Sequence, residues 1–205
     1  MKKINRKRLN NKGFTLIELL AVVVILAVVM GIAMTSVLSS MNNSRKSSLE
    51  NSAKSLQQGI TTKYSEAQVI GKLSSVYKDE IQGMTAGYDF NKTASNAAPI
   101  YYSIPSVLST EFNLSPSTYV IDGNLSNVAY APTTNGTTTA PANQSFIAFN
   151  GSSFVVCLIA QKTGNMYVAN YAETAADTIN VFGATVDVAA QTMYACSNEQ
   201  NSWTD

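Results

Sequence analysis

The sequence predicts an α+β protein: a long N-terminal helix, transmembrane and then amphipathic, packed on an antiparallel β-sheet head. Three observations predict it. An apolar run extends from Leu19 to Met34 and, with only Thr35 and Ser36 polar, on to Leu38. Apolar residues then recur with a helical period as far as Ala67. Downstream the pattern changes to short apolar runs broken by turn residues, the strongest being Asn150-Gly151.

The first element is a basic leader. The chain of 205 residues carries 14 Lys and Arg against 13 Asp and Glu, but six of the basic residues (Lys2, Lys3, Arg6, Lys7, Arg8 and Lys12) lie in the first 13 with no acid among them. The remainder is net acidic, which argues against a nucleic-acid partner for the head, because phosphate binding wants a basic face. A basic segment before an apolar one sets orientation by the positive-inside rule, with the N-terminus in the cytoplasm and the residues after about 38 outside.

The apolar segment follows. Twenty residues at 1.5 Å each cover about 30 Å, the thickness of a bilayer's hydrocarbon core. Three readings compete for it: a secretory signal cut near Gly31-Ile32-Ala33, a plain signal anchor, and a prepilin cut ahead of the apolar run. Glu18 separates them. A carboxylate near the start of a spanning helix costs a few kcal/mol, so it implies a function and a partner.

Lys12-Gly13-Phe14-Thr15-Leu16-Ile17-Glu18-Leu19-Leu20 resembles the class III signal of type IV pilins and pseudopilins. The basic leader ends in Gly13, Phe14 follows, and Glu18 stands four residues later. The resemblance covers residues 1 to about 60. It implies that a prepilin peptidase/methyltransferase cuts between Gly13 and Phe14 and N-methylates Phe14. It implies further that Glu18 assembles the filament by pairing with the Phe14 ammonium of a neighbouring subunit. The chemistry is consistent, since a cation and a carboxylate in a low-dielectric bundle each need an opposite charge. Phe14 and Glu18 are also one helical turn apart, so the pair could close within one chain.

Beyond the membrane, Leu38, Met41, Leu49, Ala53, Leu56, Ile60, Tyr64 and Ala67 form one face of a helix, and Asn42, Arg45, Lys46, Glu50, Lys54, Gln57 and Lys63 the other. Gly71 is the expected stop. A helix over residues 14–70 would measure roughly 85 Å. Many pilins carry a proline near the end of the apolar segment. This chain has none before Pro99, and Gly31, Thr35, Ser36, Ser39 and Ser40 are the local weak points instead. The expected organisation is a removed leader at 1–13, a helix at 14–70 (membrane and filament core to 38, amphipathic from 39) and a β-rich head at 71–205.

Residues 72–117 read as a variable connection, with a short helix possible after Ser103. Strands are expected at 145–149 and 152–160 around Asn150-Gly151, at 166–171, and more weakly at 178–182 and 184–188. Residues 131–141, rich in Thr, Ala and Pro, read as an exposed low-complexity loop. Cys157 and Cys196 are the only cysteines and lie on the exported side. The resemblance implies a disulfide between them, since pilins often close a C-terminal loop this way. A buried thiol at Cys157 is the alternative.

Composition narrows the function. There is no histidine, which removes the commonest general base and metal ligand, and two cysteines cannot make a Cys₄ zinc site. Ser, Thr and Asn make up 61 of the residues, a surface suited to an extracellular body. No enzyme and no cofactor are expected. Asp79, Glu80, Asp89, Asp122, Asp177 and Asp187 form no spaced calcium loop, though a site built across loops, as in some pseudopilins, stays open. The resemblance implies a subunit inserted in the cytoplasmic membrane and then polymerised by a pilus assembly platform with other pilin subunits, for adhesion or twitching motility. A pseudopilin of a type II secretion or DNA-uptake system shares the same N-terminus. The rival of another class is a membrane-anchored binding domain that never polymerises.

Overall fold

A computed structural model describes residues 15–79, 87–104, 111–112, 114–115, 118–119, 121, 136–139, 144–160, 177–188 and 193–198. Two compact units divide the chain between Met41 and Asn42. One helix, α1 (Leu16–Ile70), begins in the first and ends in the second. It runs through Gly31, Ser36, Ser39 and Ser40 without a break. Gly71 ends it at φ +72, and the Lys72 N–H donates to the Ala67 carbonyl (2.9 Å), the six-to-one bond of a Schellman stop.

Among the described residues the second unit holds the strands β1 (Ile100–Ser103), β2 (Phe146–Phe149), β3 (Phe154–Ile159), β4 (Asp177–Val181), β5 (Ala184–Val188) and β6 (Tyr194–Cys196). The main sheet has the order β1-β2-β3-β6, antiparallel throughout, with Tyr101 opposite Ala148, Ile147 opposite Val156 and Cys157 opposite Cys196. β4 and β5 form a separate two-stranded sheet.

Both faces of the main sheet are covered. Ile100, Tyr102, Ile147, Phe149, Phe154, Val156 and Leu158 share a core with Leu49, Ala53, Leu56, Ile60 and Ala67 of α1. Their neighbours in alternation, Tyr101, Phe146, Ala148, Val155, Cys157 and Ile159, share a second core with Ile179, Val181, Val186 and Val188 of the β4–β5 hairpin. Strand residues point alternately to opposite faces, so a sheet buried on both sides needs continuous apolar strands. Phe-Ile-Ala-Phe in β2 and Phe-Val-Val-Cys-Leu-Ile in β3 are of that kind, whereas in β5 burial alternates along Thr185–Val188.

Aromatic rings fill the helix-side core. Phe90 lies at its centre, stacked on Tyr88 (centroids 5.4 Å) and touching Tyr102 (5.1 Å), Phe154 (5.0 Å), Phe149 (5.6 Å) and Tyr64 (6.1 Å). Two of the tyrosine hydroxyls there have backbone acceptors: Tyr88 donates to the Ser103 carbonyl (2.6 Å) and Tyr102 to that of Asp89 (2.7 Å). Burial first, then the nearby Asp89 charge, pushes the Tyr102 phenol well above its ordinary value.

Several expectations need correction. Met41 is 41% exposed and Leu38 half-buried, so the face packed on the sheet starts at Leu49. Glu50, expected on the outer face, is 8% exposed beside its partner Lys54. Gln57, also placed outside, donates to the Phe154 carbonyl. Both flank the buried stripe, and their long side chains reach past its edge. Ile100–Ser103, read as part of a variable connection, is a strand: it supplies both cores with aromatic side chains and caps one edge of β2. Within the low-complexity loop, Gly136 and Thr137 are half-buried rather than exposed. Thr137 exchanges two backbone hydrogen bonds with Tyr101, each 2.8 Å. The strand expected at 166–171 lies outside the described residues, as does the possible short helix beyond Ile104.

Candidate functional site: the start of the N-terminal helix

Gly13 and Phe14 lie outside the described residues; Glu18 lies within them. The carboxylate is held at the helix entry by Thr15. The Thr15 N–H donates to Glu18 Oε2 (2.8 Å), the Thr15 hydroxyl donates to the same oxygen (2.8 Å), and the Glu18 N–H donates to Thr15 Oγ1 (3.3 Å). With Leu19 N–H bonded to the Thr15 carbonyl (3.2 Å), Thr15 is the N-cap and Glu18 the third helical residue of a capping box. Two backbone donors that a helix start leaves orphaned are satisfied reciprocally, and a negative charge sits where the helix dipole favours it.

Thr15-Leu16-Ile17-Glu18 ahead of an apolar run is the sequence signature of that box, a local role for Glu18 beside charge pairing. The consequence is chemical. Glu18 is not an idle carboxylate in the separate chain, because Thr15 already answers one of its oxygens from two directions.

Around this box the surface is apolar. Leu16, Ile17, Leu19, Leu20, Val22, Val23, Val24, Ile25, Val28, Val29, Met30, Ile32 and Met34 are all exposed by half or more. α1 is long and apolar enough in this part to cross a membrane. Burying one such side chain gains about 1.5–3 kcal/mol, so more than ten of them in water would be untenable without lipid or partner chains.

Residues 8–34 match the family model described as the prokaryotic N-terminal methylation motif. The chain carries that motif. It supports a type IV pilin-like or pseudopilin precursor, a structural protein handled by prepilin peptidase and pilin assembly machinery, with a membrane-anchored start. The α+β arrangement of helix and antiparallel sheet is pilin-like as well. No curated protein and no solved structure matches the chain.

In the second unit Cys157 and Cys196 are joined by a disulfide. They face each other across β3 and β6 at a position flanked by bonded pairs: Ser197 N–H donates to the Val156 carbonyl (2.8 Å), and the Val156 N–H donates to Ser197 Oγ (3.0 Å). Both cysteines are fully buried in the outer core. β6 is three residues long, and the covalent link ties it to the longest strand of the sheet.

Proposed function

We propose that this chain is a structural subunit of a type IV pilus, polymerising through its N-terminal helix into an extracellular filament for adhesion or motility. The observation that carries the reading is the conjunction at one helix end: the methylation motif, the exposed apolar surface, and a carboxylate at Glu18 inside what would be a filament core. In this account the peptidase cuts between Gly13 and Phe14, Phe14 becomes a methylated ammonium, and Glu18 of an incoming subunit pairs with it. The organisation is a leader at 1–13, a helix from 14 to 70 and a head from 71 to 205.

The capping box refines the energetics of docking. An arriving subunit exchanges the Thr15 contacts of Glu18, wholly or in part, for a full positive charge on its neighbour. The Thr15 bonds are charge-assisted on the acceptor side alone, whereas the neighbour's ammonium adds a full opposite charge in a low-dielectric bundle, so the exchange favours assembly while the carboxylate never stands bare in lipid. The box also holds the Glu18 carboxylate at the helix terminus with Oε2 engaged by Thr15.

The test is intact mass and N-terminal sequencing of protein sheared from cells, together with filament yield. Processed material should start at methylated Phe14. A start at Met1, or at Met34 after a cut behind Ala33, overturns the proposal. Glu18→Ala should still be cut at Gly13 but assemble poorly. Normal filament yield from that variant removes the charge-docking step, and processed protein that never polymerises from wild-type cells favours an anchored binding domain.

A further inference from the structure

The side chain of Asn150 anchors a hydrogen-bond network at the turn between β2 and β3. Its Oδ1 accepts four hydrogen bonds: from the Ser152 N–H (3.0 Å) and hydroxyl (3.2 Å), and from the Ser153 N–H (2.7 Å) and hydroxyl (3.0 Å). Its Nδ2 donates to Asn96 Oδ1 (2.7 Å). The next backbone amide, that of Gly151, has no acceptor among the described residues, and Gly151 adopts φ +97 without a Cβ to shield the amide.

We propose that Asn150 is a self-modification site, which the folded hairpin converts to aspartate. The Gly151 nitrogen loses its proton to water and attacks Cγ of Asn150. The N–Cγ bond forms, the Cγ–Nδ2 bond breaks, and ammonia leaves with a proton from solvent. Water then adds to Cγ of the cyclic imide, the N–Cγ bond reopens, and a proton returns to the Gly151 nitrogen. The balance is one water consumed, one ammonia released, and no oxidant or reductant.

The four donors converge on the oxygen that carries negative charge in both tetrahedral intermediates, which is the arrangement of an oxyanion hole. The product also fits. An aspartate carboxylate keeps all four donors with added charge assistance, and the Asn96 amide need only turn over to donate its nitrogen.

The other way of opening the imide, at the main-chain carbonyl, would insert an extra atom into the backbone. The loop closes between paired Phe149 and Phe154 through the Asn150 N–H to Ser153 carbonyl bond (3.2 Å). The Ala94 carbonyl oxygen lies 2.7 Å from where a Cβ on Gly151 would sit. That crowding selects aspartate over isoaspartate, and the head gains a negative charge on an exposed turn as the protein ages.

The experiment incubates full-length protein in detergent, folded and denaturant-unfolded, in heavy-oxygen water at mildly alkaline pH, followed by peptide mapping. Folded protein should yield aspartate at 150 carrying one heavy oxygen, with isoaspartate the minor product. Ser152→Ala and Ser153→Ala should each slow conversion about fivefold, the worth of one net hydrogen bond. Asn150 left intact in folded protein over the time that converts the unfolded chain, a majority of isoaspartate, or unchanged rates in both serine variants would each overturn the proposal. The folded-against-unfolded comparison needs no variant. Asn135-Gly136, the other Asn-Gly pair in the chain, serves as an internal reference.

Discussion

Removing the disulfide tests how the head is held together. Cys157 and Cys196 are separated by 39 residues, and the segment they close includes the whole β4–β5 hairpin that covers the outer face of the sheet. In the chain-entropy account, a closed loop of that size restricts the unfolded chain by about 4 kcal/mol. A Cys157→Ala/Cys196→Ala double variant should therefore lose about 4 kcal/mol. With a urea slope near 2 kcal/mol per molar, the midpoint would fall by about 2 M. The assay is urea unfolding of the full-length protein in detergent, followed by near-ultraviolet circular dichroism, which reports the aromatic core around Phe90. A parallel measurement adds a thiol reductant to the native protein. Because both cysteines are fully buried, reduction should wait on unfolding and follow its rate. A loss below about 1 kcal/mol would refute the reasoning, because loop closure would then not be what keeps the three-residue β6 in the sheet.

Other outcomes follow from the same contacts. Phe90→Ala should cost about 3–5 kcal/mol in the same assay, since the ring packs against five other aromatics. Gly87→Ala should destabilise by about 1–3 kcal/mol, because the added Cβ would meet the Ser75 and Val76 backbone at 2.5–2.7 Å, across the Val76–Tyr88 bridge. Thr15→Val removes the hydroxyl of the capping box at nearly constant shape; at about 1 kcal/mol, amide exchange in the first turn of α1 should speed up about fivefold in micelles. The folded-state value of Tyr102 is raised, so its contribution to stability is complete below the ordinary phenol value and is lost as pH climbs above it. Phenolate absorbance should show Tyr102 ionising above the ordinary phenol value together with loss of the fold, a component that Tyr102→Phe should remove.

The short-range features were legible because each depends on residues close in the chain. The basic leader, the apolar run and Glu18 state their chemistry within about 40 residues, and Asn150-Gly151 marks a hairpin that forms between Phe149 and Phe154. The Thr15–Glu18 box was equally local and could have been read from its spacing. By contrast, Ile100–Ser103 has no turn signal tying it to β2, 46 residues later by first residue, and its Tyr-Tyr pair reads as loop until a sheet edge is there to receive it.

The amino-acid sequence by itself determined which stretch is apolar enough to cross a membrane and where the helix must stop, since hydropathy and the conformational freedom of Gly71 act locally. Tertiary structure alone decided that the sheet is covered on both faces, that Glu50 is buried, and that Cys157 faces Cys196. Those depend on which segments meet across the fold. Burial is a property of the partner surface, and no window of sequence contains its partner.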